Sequence, residues 1–79
     1  MKMAEIKRLA QTHSLSELKL AEEAMYEEQE LGIEVHGDDE GEKLTHILAA
    51  QDLVQNMEKG MSINDAVRAY SQRVRNSIS

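Results

Sequence analysis

L-T-H-I-L-A-A-Q-D-L-V-Q-N-M, residues Leu44 to Met57, is apolar around most of a helical circumference. Leu44, Ile47, Leu48, Ala50, Val54 and Met57 fall on one side, Ala49 and Leu53 on another, and Thr45, Asp52 and Asn56 form the clearly polar strip. A helix of this kind has to be covered on several sides, which makes it the central element of a helical domain. The pattern predicts a helix from about Glu42 to Lys59, closed by Gly60. Gln51 projects into the main apolar stripe and is expected to find a hydrogen-bond partner there.

Working outward, Met3, Ile6, Leu9 and Ala10 give a short first helix ending by Thr12 or His13. Ser14 opens S-L-S-E, a capping box in which the Ser14 hydroxyl accepts from the Glu17 amide and the Glu17 carboxylate reaches back to the Ser14 amide. The second helix is predicted from Leu15 to Leu31, stopping at Gly32 in a left-handed conformation. Glu28 is its anomaly, because it falls inside the apolar arc of Leu18, Ala21, Ala24, Met25 and Leu31. Ile33-Glu34-Val35-His36 alternates like a strand but has no partner strand, so it reads as an extended connector leading into the acidic loop Gly37–Glu42. Ser62 caps a fourth helix whose Ile63, Val67, Tyr70 and Val74 repeat as one seam. Arg68 and Arg75 lie seven apart on a neighbouring stripe, where they could meet the Glu-rich second helix of the same chain or of a dimer mate.

The 79 residues contain no Pro, Cys, Trp or Phe, so the core has to be aliphatic and no disulfide or thiolate metal site exists. The chain is expected to form one all-α domain over residues 1–79: three longer helices, one short amino-terminal helix and an acidic loop. A domain this small buries a modest share of its surface, so self-association is expected, with the seam of the fourth helix as first candidate. No signal peptide or membrane-length apolar run is visible, and the expected location is the cytoplasm.

Charge is segregated. Eleven of the fifteen acids lie between Glu17 and Glu42 against the single base Lys19, giving −10 in that run and +4 outside it. With a sequence pI near 4.9, nucleic acid is an unfavourable partner, because phosphate binding calls for clustered Lys and Arg. A calcium loop with Gly41 at its sixth position would start at His36 and end at Ile47, which fails at both ends. His36, Asp38, Glu42 and His46 are the alternative set for a metal-responsive or metal-dependent protein, although paired metal-ligand spacings are missing. His13 beside Ser14 reads as a helix end and a cap rather than a nucleophile and its base. No catalytic residue or cofactor is assigned. The favoured reading is a small acidic interaction or adaptor protein that binds a basic protein partner through Glu22, Glu23, Glu27, Glu30, Asp38, Asp39 and Glu40.

The segments A-E-I-K-R-L-A, S-L-S-E-L-K-L-A-E-E-A, E-V-H-G-D-D-E-G-E, L-T-H-I-L-A-A and Y-S-Q-R-V-R-N-S-I together resemble a family of short uncharacterised bacterial helical proteins with no established function. The resemblance spans nearly the whole chain. It implies a complete small helical protein and carries over no catalytic residue and no cofactor.

Overall fold

The computed structural model describes residues 2–78, which form four helices: α1 (Met3–Thr12), α2 (Leu15–Tyr26), α3 (Glu40–Glu58) and α4 (Ile63–Ile78). No strand occurs among the described residues. As the sequence of α3 demands, the other three helices each pack on it. Ile47, Ala49, Ala50, Leu53 and Val54 of α3 are buried together with Ile6, Leu9 and Ala10 of α1, Leu18 and Ala21 of α2, and Ala66 of α4. Gln51 is buried as well, and its amide donates to Glu22 at 2.9 Å.

The junction of α1 and α2 follows the local sequence. His13 leaves the helical region at φ −130°, and the Ser14 hydroxyl accepts from the Glu17 amide at 3.2 Å. The Ser14 amide donates to Glu17 Oε1 at 2.9 Å, completing the capping box. That amide, followed by His13 beside it, lowers the Glu17 carboxyl below its ordinary value.

The second helix is shorter than its periodicity suggests. It ends at Tyr26, five residues before Leu31, because Glu28 takes a left-handed conformation at φ 57°. The Gln29 amide donates to the Ala24 carbonyl at 2.9 Å and the Glu28 amide to the Met25 carbonyl at 3.3 Å, which is a Schellman termination. Two physical causes favour this early stop. Glu27, Glu28 and Glu30 crowd the negative end of the helix dipole with no base in the last turn, and further helix would turn Glu28 toward the core. The end of α3 uses the same pair of bonds around Gly60 at φ 103°, where the left-handed backbone carries no side-chain penalty. Glu28→Gly is therefore expected to raise stability by about 1 kcal/mol, read as a rise in the thermal midpoint of about 5 °C. A fall in the midpoint would contradict this account of the helix end.

Between α2 and α3 the chain has no regular structure and bends at Gly32, which takes a left-handed φ of 75°, with Leu31 and Ile33 packed on the core and Val35 buried in it. Gly37 then passes so close to α3 that a β-carbon there would stand 2.9 Å from Lys43 Cγ and 3.0 Å from its backbone nitrogen. The third helix begins two residues before the expected Glu42. Asp39 is its cap, accepting from the Glu42 amide at 2.7 Å, and Glu40 and Glu42 place charge where the helix dipole favours it.

The fourth helix is capped as expected, with the Asp65 amide donating to the Ser62 hydroxyl at 3.1 Å. Its seam is occupied within the chain, however. Ile63, Val67 and Tyr70 are partly buried against the core and Ala66 is fully buried, so this apolar face of α4 packs on α3. Arg68 pairs loosely with Asp65 of its own helix at 3.9 Å, and Arg73 reaches Asp52 of α3 at 3.0 Å.

Candidate functional site

A chain segment with no helix or ladder of its own has backbone donors and acceptors to satisfy. Here side chains of α1 and α3 do it. The His36 amide donates to Glu5 Oε2 at 2.8 Å, Arg8 donates to the Glu34 carbonyl at 2.8 Å, and Arg8 also holds Glu5 through two bonds of 2.8 Å. From the other side, fully buried His46 uses both ring nitrogens. Nε2 accepts from the Lys2 amide at 3.0 Å, which leaves the proton on Nδ1 to donate to the His36 carbonyl at 2.8 Å.

Among the described residues this polar clamp holds the carboxyl furthest from its ordinary value. Glu5 is 7% exposed, yet its carboxyl is held down at about 2. The Arg8 guanidinium is the main cause; burial opposes it, and the His36 amide adds to the lowering. A carboxylate so firmly ionised and so fully bonded is a weak base near neutral pH, and its work here is to fix the connector.

The acidic residues divide by environment. Glu22 is half-buried and already engaged, accepting from Gln51 and from the Tyr26 hydroxyl, the latter at 2.8 Å. That carboxylate also raises the Tyr26 phenol above its ordinary value. Asp39 is the cap of α3. Glu23, Glu27, Glu30, Asp38 and Glu40 are exposed. Of these, Glu30 and Glu40 come together with Glu28 around a groove that Met25, Leu31 and Lys43 also line.

On the outward side of α2 a second shallow groove joins Ser16, Lys19, Leu20, Glu22, Glu23 and Tyr26. Leu20 and Tyr26 are 64% and 62% exposed, more than any other large apolar side chain of the described residues. The sequence marked the acids of this strip but not its apolar pair, because both residues lie outside the apolar stripe of α2. A large apolar residue off-stripe on an amphipathic helix is the signal that would have found them.

His36, Asp38, Glu42 and His46 lie near one another along the chain, but His46 is turned inward with both nitrogens bonded, and Glu42 Oε1 accepts from the Asp38 amide at 3.3 Å. Among the described residues no group of three or more His, Asp or Glu is placed to hold a metal ion. His13 stands 3.5 Å from Glu17 at the α1–α2 junction, and Ser14 is engaged in the cap.

Fold and surface together define a small all-helical domain with an internal polar clamp and an outward strip that mixes acids with exposed apolar side chains. The chain matches DUF6952, a family of unknown function, over residues 1–79 and belongs to it. No curated protein and no solved structure matches it. Among the described residues no helix is long and apolar enough to cross a membrane.

Proposed function

We propose that this protein is a small non-enzymatic interaction protein whose outward α2 face binds a basic protein partner. The observation that carries the reading is the exposure of Leu20 and Tyr26 beside Glu23 and Glu27, whose carboxylates form no ion pair among the described residues. Solvated acids alone explain solubility; acids around an exposed apolar pair supply both steering charge and area to bury. The groove around Glu28, Glu30 and Glu40 extends negative charge beyond the end of the helix.

The partner that suits such a face is a helix presenting Lys or Arg, whose aliphatic stems can cover the apolar pair while their charged ends meet the acids. A Lys/Arg-rich amphipathic peptide titrated into the labelled protein at low salt is expected to shift the amide resonances of residues 19–28. The shifts should disappear at high salt, where exposed charges are screened. Leu20→Ser with Glu23→Gln and Glu27→Gln should abolish them, while Glu22 is kept because it holds Gln51 inside. Shifts spread evenly over the chain, or unchanged in the variant, would refute the assignment of this face.

A further inference from the structure

Two outward strips of opposite charge remain on the folded chain. One is the α2 strip of Leu20, Glu23, Tyr26 and Glu27, on which Lys19 is the single base. The other is on α4, where exposed Arg68, Gln72 and Arg75 recur on one side and, with Ser71, line a shallow groove. The apolar seam of α4 is turned inward, so this basic strip is what the helix presents outward. Asp65 is the acid on it, and its contact with Arg68 at 3.9 Å between exposed side chains is easily exchanged for another.

We propose that the α2 strip of one copy docks on the α4 strip of a second copy. This rests on the reading of the α2 face as a docking surface and names its occupant. Charge complementarity carries the argument: exposed Arg68 and Arg75 against Asp65 leave the α4 strip positive, exposed Glu23 and Glu27 against Lys19 leave the α2 strip negative, and the two lie on separate helices. Dimensions agree as well. Arg68 and Arg75 are separated by about 10 Å along α4, and Leu20 and Tyr26 by about 9 Å along α2. Two arginines so spaced cover the apolar pair with their aliphatic stems, and a guanidinium over the Tyr26 ring gains from the ring's negative face. The charged ends then meet Glu23 and Glu27.

Sedimentation velocity of the full chain at low and high salt tests the pairing with two variants, Glu23→Lys/Glu27→Lys and Arg68→Glu/Arg75→Glu. Thermal melts check that both remain folded. The native chain is expected to self-associate at low salt, and each variant to weaken association by about tenfold or more. An equimolar mixture of the two variants should restore it, because each retains the strip that the other lacks and the reversed strips attract. A native chain that stays monomeric up to millimolar concentration overturns the proposal, as does association that neither variant weakens or that mixing fails to restore. If the chain is monomeric but the basic peptide still shifts residues 19–28, the docking face stands and a second copy is not its occupant. If neither occurs, both readings fail.

Discussion

Replacing Glu5 with alanine is expected to remove about 3 kcal/mol of folding stability, because it strips the buried carboxylate from Arg8 and from the His36 amide together. A domain of this length has about 4–12 kcal/mol in all, so the loss is a large fraction of the total. Urea denaturation at neutral pH measures it directly. The same carboxylate sets an acid dependence. Its folded value of about 2 lies below the ordinary 4.5, so between these values the unfolded chain binds the proton that the folded chain refuses. The stabilisation is therefore complete above about pH 4.5 and is lost as the pH falls through 2. Glu5→Gln should flatten the stability profile across that window. Part of the slope will remain, since Glu17 is also lowered by its capping bonds. A Glu5→Ala protein as stable as the native one, or with the native acid slope, would contradict the clamp.

His46→Phe is the second large effect. The somewhat larger ring leaves no cavity, but the Lys2 amide and the His36 carbonyl both lose their partner. Two such groups left without their partner at part-buried positions cost about 2 kcal/mol. Amide exchange at Val35 and His36 should accelerate with it, because the connector is released from α3 while Arg8 still holds the Glu34 carbonyl. Glu5 and His46 grip opposite sides of one residue, His36. The double variant should therefore cost less than the two single losses added, by about 1 kcal/mol or more. Strict additivity would mean that the connector is not one cooperative unit.

These two residues also show where the sequence stops being legible. Local devices could be read in advance: the Ser14–Glu17 box, the caps at Ser62 and Gly60, the central place of α3 and the need of Gln51 for a partner all follow from residues within a few positions of one another. The end of α2 could not, because a period near 3.6 continues through Leu31 although the charge at Glu27, Glu28 and Glu30 opposes the helix dipole. Glu28 inside the apolar arc was the sign of it.

The clamp was hidden for a different reason. Glu5 and Arg8 stand three apart in α1 with no signal in the sequence to single them out, and His46 reads as a candidate metal ligand, until tertiary contacts bring Glu34 and His36 back onto both helices. The candidate surface was half legible. Its acids stand out in composition, whereas separating solvent-facing Glu23 and Glu27 from Glu22, which works inside, takes the packing of α2 on α3.

The most direct test of the α2 face as the working surface is capture from a lysate of the source cell at low and high salt. The native chain is compared with Leu20→Ser/Glu23→Gln/Glu27→Gln, a variant that leaves the clamp and Glu22 intact. A basic protein, or further copies of the chain itself, is expected to be retained by the native form at low salt, released at high salt and absent from the variant. Equal retention by both forms, at either salt, would contradict it.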